Sequence, residues 1–123
     1  MLKKYLLILV LMIGMIFTTT AKLGAKMSNE FNQVRAAHIL VASKQEADSL
    51  KQKIEKNEIS FEEAAKQFSK CPSGMQGGDL GYFGRGMMVK EFEVASFDGE
   101  AGKVTEPVQT QFGWHLIKVI DKQ

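Results

Sequence analysis

Apart from its carboxylates, this 123-residue chain has three side chains that could carry acid–base or nucleophilic chemistry. They are its one cysteine, Cys71, and its two histidines, His38 and His115. A thiol activated by an imidazole is the machinery of cysteine hydrolases, and one thiolate with two imidazoles can bind a transition metal. The same three groups can also be packing residues of a core, because a free cysteine behaves as a small hydrophobe.

The residues around Cys71 favour neither reactive site. Cys71 follows the C-terminal end of a predicted helix, where the helix dipole disfavours a thiolate. No oxyanion hole can be identified, neither histidine lies in a short ligand motif, and there is no second cysteine for a CxxC pair or an internal disulfide. We therefore predict no metal ion and no cofactor, and residue types alone favour the packing interpretation.

Cys71 stands near the start of a glycine-rich segment, and the histidines stand in two apolar segments. The glycine-rich segment, SKCPSGMQGGDLGYFGRG (69–86), excludes a long helix, although LGYFG (80–84) fits a short strand. Val34–Val41 and GWHLIKVI (113–120) both have strand composition. If both strands are central in one sheet, His38 and His115 are neighbours and can share a hydrogen bond.

Three helices are predicted between these strands. Ser43 with Glu46, and Ser60 with Glu63, have the spacing of capping boxes, and Asn57 can end the first helix. A short third helix fits residues 88–97, and VTEPVQT (104–110) reads as an extended piece. The order of elements predicts an α+β domain with one sheet flanked by helices. The helical apolar stripes are Ala47, Leu50 and Ile54, then Phe61, Ala64, Ala65 and Phe68.

Composition limits the choice of partners. The net charge is +2 and the lysines are interspersed with glutamates, so no basic stripe forms and we expect no nucleic-acid partner. A hydrophobic content of 45% and a charged content of 24% are ordinary for one globular domain, which we expect to be a monomer.

The N-terminal residues form a separate region. MLKKYLLILVLMIGMIF has two lysines and then an apolar run, which predicts a signal peptide or a membrane anchor over residues 1–21. A polar linker over residues 22–33 and a domain over residues 34–123 follow. We therefore expect an exported protein, periplasmic or extracellular, or one anchored in the inner membrane, and the sequence leaves cleavage of the leader open.

Three blocks of the sequence resemble the parvulin-type peptidyl-prolyl cis/trans isomerases. They are AAHILV (36–41), CPSGMQGGDLGYFGRGMMVKEFE (71–93) and EPVQTQFGWHLIKV (106–119), in the family's order and at its spacing. The resemblance covers about residues 34–121 and is greatest to small single-domain bacterial parvulins. It implies a parvulin-like (FKBP-like) four-stranded antiparallel sheet surrounded by helices, and rotation of X-Pro bonds as the activity.

The resemblance also implies the site. It places His38 and His115 as paired histidines of the sheet, Cys71 as the active-site thiol, and Thr110 as the residue bonded to the histidine pair. The proline pocket would contain Leu80, Met88 and Phe92, with Val89 beside it and Phe112 at its rim. Glu91 stands where many relatives have proline, which we expect to alter the start of the third helix rather than the pocket.

The resemblance implies a substrate as well: proline-containing segments of unfolded or exported proteins. Phosphate-directed parvulins carry a basic cluster after the first strand, whereas VASKQ (41–45) has one lysine, so we expect no phosphate requirement. The alternative is a catalytically weak parvulin fold that acts as a chaperone or peptide-binding module.

Overall fold

The computed structural model describes residues 31–123. The predicted leader, residues 1–21, and most of the predicted linker, residues 22–33, lie outside this part of the chain. Over residues 31–123, no helix is long and apolar enough to cross a membrane.

A four-stranded antiparallel sheet organises the described residues. Its strands are β1 (Gln33–Val41), β2 (Asp79–Gly84), β3 (Val108–Thr110) and β4 (Gly113–Lys122). The spatial order is β2-β1-β4-β3, so the two apolar strands are central and the prediction of the sheet is confirmed. The central position of β1 and β4 brings the two histidine-bearing strands side by side.

Helices cover both faces of the sheet. They are α1 (Lys44–Glu55), α2 (Phe61–Phe68) and α3 (Lys90–Asp98). The α1 and α2 helices pack on the face that carries Ile39, Val41 and Leu116. The third helix packs on the opposite face, against Ile117 and Val119. Because side chains alternate along a strand, His38 and His115 lie on the α3 face.

The helix starts agree with the sequence, and the caps differ in detail. Ser43 and Ser60 are the N-caps, and their hydroxyls accept the backbone N–H of Glu46 at 3.2 Å and of Glu63 at 3.0 Å. The reciprocal half of the capping box is absent at both described caps. The Glu46 carboxylate accepts from the N–H of Ala42 instead of Ser43, and Glu63 accepts from a neighbouring side chain of its own helix.

Phe68 departs from the predicted stripe of the second helix. Its neighbours Phe61, Ala64 and Ala65 are buried, whereas Phe68 is 45% exposed. Phe68 is the last residue of α2, where the chain turns away towards the glycine-rich segment. The helical spacing is therefore correct, but the sheet does not cover the end of the helix.

The glycine-rich segment contains a 3-10 helix, Pro72–Gln76, before it enters β2. Gly78, between these elements, has a φ of +85° and accepts the N–H of His38 at 2.9 Å. A Cβ at this position would lie 2.3 Å from the His38 carbonyl oxygen. Glycine is therefore required here by both conformation and close approach, and this contact fixes the backbone of His38.

Candidate active site

The two histidines are joined by a direct hydrogen bond. In the register of β1 and β4, Leu40 lies opposite His115 and His38 lies opposite Ile117, so the histidines are diagonal neighbours on one face. Their Nδ1 atoms are 3.0 Å apart, and the angle between the two ring planes is 17°. One Nδ1 must donate and the other accept, so the two imidazoles have opposite tautomers.

A chain of hydrogen bonds continues from both ends of the histidine pair. At one end, Thr110 Oγ1 lies 2.8 Å from His115 Nε2. At the other end, Ser73 Oγ lies 3.1 Å from His38 Nε2 and donates to Cys71 Sγ at 3.3 Å. The histidine pair is therefore connected to Thr110 directly and to Cys71 through Ser73, a residue that was not among the predicted site residues.

One set of donors satisfies the whole chain of bonds. Because Ser73 donates its proton to Cys71, it accepts from Nε2–H of His38, and His38 Nδ1 then accepts from Nδ1–H of His115. The bare Nε2 of His115 accepts the hydroxyl proton of Thr110, whose oxygen accepts from the N–H of Phe112. The reverse direction would leave the Thr110 proton without an acceptor among the contacts of residues 31–123.

Both imidazoles are held neutral. Burial, and secondly the neighbouring His115, lower the pKa of His38 from its ordinary 6.5 to about 4. Burial also lowers the pKa of His115. A protonated histidine would place a second donor against a donor in the bonds described above, so the geometry and the pKa shifts agree. At neutral pH the pair acts as a set of fixed dipoles and not as a pair of cations.

Phe92 packs against both histidines of the pair. It lies in α3, is 3% exposed, and meets both imidazoles edge to face at 5.4 and 5.3 Å between ring centroids. Leu80, Met88 and Val89 pack partly buried against the same core cluster as Phe92. The three predicted pocket residues and Val89 beside them thus come from the start of β2, the loop before α3, and α3 itself.

These residues line one open pocket of about 550 Å³. Phe112 and Met87 are 63% and 67% exposed and stand at its rim. Thr110 does not line the pocket but lies buried behind His115. Four lining residues were not singled out from the sequence. They are Leu40, Lys70, Pro72 and Met87.

The chemistry available in this pocket is limited. The pocket lining has four side chains with ionisable groups: His38, His115, Cys71 and Lys70. Among the contacts of residues 31–123, neither imidazole bonds directly to the sulfur of Cys71, because Ser73 lies between His38 and the thiol. Across residues 31–123, no group of three His, Cys, Asp or Glu side chains is placed to hold a metal ion. The site is a mainly apolar surface backed by a neutral hydrogen-bond chain, which suits binding of an apolar group.

Comparison with known families agrees with this fold. The model of the PPIC-type PPIASE domain, the peptidyl-prolyl isomerase domain of the parvulin class, matches residues 19–123. The chain belongs to this family. The resemblance noted in the sequence is thereby confirmed.

The individual relatives include foldases and parvulins. The foldase protein PrsA of Geobacillus sp. (strain WCH70) is 49% identical over 92 residues, which are 74% of this chain and 33% of that protein. The crystal structure of peptidylprolyl isomerase PrsA from Bacillus anthracis superposes with a TM-score of 0.73 at 42% identity, covering 76% of this chain and 43% of that one. The solution structure of NmPin, the parvulin of Nitrosopumilus maritimus, superposes with a TM-score of 0.66 at 41% identity, covering 73% of this chain and 97% of that one.

The lengths of these relatives differ. The chain spans about a third of the curated foldases that it matches. Almost the whole of NmPin, by contrast, is covered. The shared region is therefore the isomerase-type domain, and similarity to the foldases applies to that domain.

Proposed function

We propose that this chain is a peptidyl-prolyl cis/trans isomerase that rotates X-Pro bonds in unfolded or exported proteins without a covalent intermediate. The observation that carries the proposal is the open pocket in which Phe92, Met88 and Leu80 face a neutral histidine pair. Membership of the PPIC-type PPIASE family supports it. The foldase name of the curated relatives supports unfolded chains as the substrate class.

The energy required is modest. Rotation of a prolyl amide has a barrier of roughly 18–20 kcal/mol because of resonance between nitrogen and carbonyl. Uncatalysed exchange takes about 10–100 s, and reaching about 10³ per second requires lowering the barrier by only about 6–7 kcal/mol. No bond has to break, so the site needs differential binding of the twisted amide and not a reactive group.

The apolar wall of the pocket, formed by Leu80, Met88 and Phe92, supplies such differential binding. At the twisted transition state the amide loses charge separation, so its nitrogen becomes more basic and its carbonyl less polar. A proline ring held against Phe92 and Met88 is removed from water, and an apolar environment favours the less polar state. The planar amide loses more hydration on entering the pocket than the twisted one does.

Cys71 acts in this scheme as a polar neighbour of the imide. It lies at the end of the hydrogen-bond chain and lines the pocket, which suits a position beside the carbonyl of the residue before proline. A nucleophilic thiol would need a general base to accept its proton. His38 reaches Cys71 only through Ser73, and the Nε2 atom of His38 donates to Ser73, so it does not act as that base. We therefore assign Cys71, His38, His115 and Thr110 to the electrostatic environment of the imide.

The substrate does not need a phosphate group. The single lysine of the VASKQ segment (41–45), Lys44, is the first residue of α1 and is paired with Asp48 at 3.0 Å. It does not line the pocket. A phosphate would require several convergent donors, which the segment does not supply.

We also propose that the protein is exported and acts as a monomer outside the cytoplasm. The support for export is the apolar leader over residues 1–21, whether it is cleaved or remains as an anchor. Fractionation of cells, with N-terminal sequencing of the mature protein, tests this proposal. An intact N-terminus in the soluble cytoplasmic fraction would contradict it.

The second candidate function is a peptide-binding module without turnover. The exposed rim residues Phe112 and Met87 favour it, because they can hold apolar segments whether or not proline rotates. NMR exchange spectroscopy on an Ala-Ala-Pro-Phe peptide, with catalytic amounts of the chain, distinguishes the isomerase from the binding module. The enzyme predicts faster cis/trans exchange. Binding shifts on the peptide without faster exchange would identify the binding module.

A further inference from the structure

Lys70 stands out in the pocket because of its charge. Among the described residues that line the pocket, it is the one lysine or arginine; no Asp or Glu lines the site, and burial lowers the pKa of both histidines. Lys70 is exposed, and none of the ion pairs within residues 31–123 involves it. The pocket lining therefore includes one lysine that has no acidic partner among residues 31–123.

A backbone hydrogen bond fixes the position of residue 70 in the chain. The N–H of Lys70 donates to the carbonyl of Leu40 at 2.8 Å, which ties the residue to the central strand β1. Lys70 also precedes Cys71, whose sulfur ends the hydrogen-bond chain. Lys70 thus lies on the side of the pocket that carries Cys71.

We propose that Lys70 selects substrates with an acidic residue immediately before proline. This inference rests on the proposed function. If the proline ring lies against Phe92 and the imide carbonyl lies near Cys71, the residue that owns this carbonyl is the one before proline. Its side chain then lies on the Lys70 side of the pocket, where a glutamate or aspartate meets an opposite charge.

The chemistry of a single lysine fits a carboxylate better than a phosphate. An ammonium group acts as one point charge, whereas phosphate sites combine several donors or a bidentate arginine. An exposed pair of this kind changes affinity by up to about five-fold and weakens with salt. We therefore expect a preference of about two- to five-fold for Glu-Pro over Lys-Pro peptides at low ionic strength, with Gln-Pro between them.

The test measures binding and exchange together. Peptides Ala-Xaa-Pro-Phe with Xaa as Glu, Gln, Lys or phosphoserine are titrated into the full chain by NMR, at about 20 mM and about 500 mM salt. The variants are Lys70→Gln and Lys70→Glu. The matched control is Lys66→Glu, which makes the same charge change on the exposed face of α2, outside the pocket.

The expected result is a Glu preference that disappears in Lys70→Gln, reverses in Lys70→Glu, stays in Lys66→Glu, and falls at high salt. A Glu preference that survives Lys70→Gln overturns the inference. Equal exchange for all four peptides overturns it as well, while leaving the isomerase proposal in place. Phosphoserine peptides that bind more than ten-fold tighter than glutamate peptides overturn the choice of a carboxylate.

The proposed function can fail separately. If the peptides bind with the Glu preference but no peptide exchanges faster, the isomerase proposal fails and the role of Lys70 stands as binding selectivity. If no peptide binds, both are overturned.

Discussion

The stability of this fold should fall between pH 6.5 and pH 4 because of His38. Its pKa lies near 6.5 in an unfolded chain and at about 4 in the buried pair. The folded state therefore binds the proton more weakly than the unfolded state. The neutral form contributes stability that is fully present above pH 6.5 and is lost as the pH falls through 4.

The size of the effect follows from the same pKa values. The interval from 6.5 to about 4 corresponds to about 3 kcal/mol of unfolding free energy for His38, or about 1.4 kcal/mol per pH unit at the steepest part. The pKa of His115 is lowered too, so it acts in the same direction. Arg35 lowers the pKa of Asp79 below 3.8, so the contribution of that carboxylate is lost only below this pH window.

Urea unfolding of the full chain at pH 7.5, 6.5, 5.5 and 4.5 measures this dependence. The comparison is His38→Gln, which removes one titrating imidazole and keeps a side chain that can bond Ser73. We expect the variant to be less stable at pH 7.5, with a shallower loss of stability towards pH 4.5. Parallel profiles for the two proteins would refute the reasoning, as would an imidazole of His38 that titrates near pH 6.5 by NMR.

Three further predictions concern single side chains. Among residues 31–123 the buried Ser96 hydroxyl has no hydrogen-bond partner, so Ser96→Ala should stabilise the fold by about 1 kcal/mol in urea unfolding. A loss of stability would contradict this prediction. Gly78→Ala should lower the free energy of unfolding by more than about 2 kcal/mol, because the added Cβ meets the His38 backbone. Gly86 also has a positive φ, but no atom of residues 31–123 lies within 4 Å of an added Cβ, so Gly86→Ala should cost about 1 kcal/mol. Equal costs for the two variants would show that the contact with His38 is unimportant. Met87→Ala should leave the melting temperature unchanged and raise the Kd for proline peptides, because Met87 is exposed at the pocket rim, and an unchanged Kd would remove it from the binding surface.

The sequence predicted the positions of the strands and helices well, for reasons that individual residues make clear. The β-branched and apolar runs around His38 and His115 can be stable only as central strands, and the sheet places them there. Ser43 and Ser60 marked helix starts because their hydroxyls cap free N–H groups. Asn57 marked the end of α1, and it adopts a φ of +61° there.

The details of the site were less accessible. Ser73 is one of several serines, and nothing in its spacing indicates that a 3-10 helix brings it between His38 and Cys71. Lys70 and Met87 line the pocket because of the path of loops whose shape glycines set. Thr110 came from the family resemblance alone, because its bond to His115 depends on the turn between β3 and β4.

The most direct test of the central claim compares the apolar wall with the thiol. Prolyl exchange catalysed by the full chain is measured by NMR for the unmodified protein, Phe92→Leu and Cys71→Ser, with the folded state of each variant checked by its spectrum. If the pocket works by apolar binding of the twisted amide, exchange falls strongly in Phe92→Leu and is partly retained in Cys71→Ser. Exchange that is abolished in Cys71→Ser and unaffected in Phe92→Leu would contradict the account and make the thiol the reacting group.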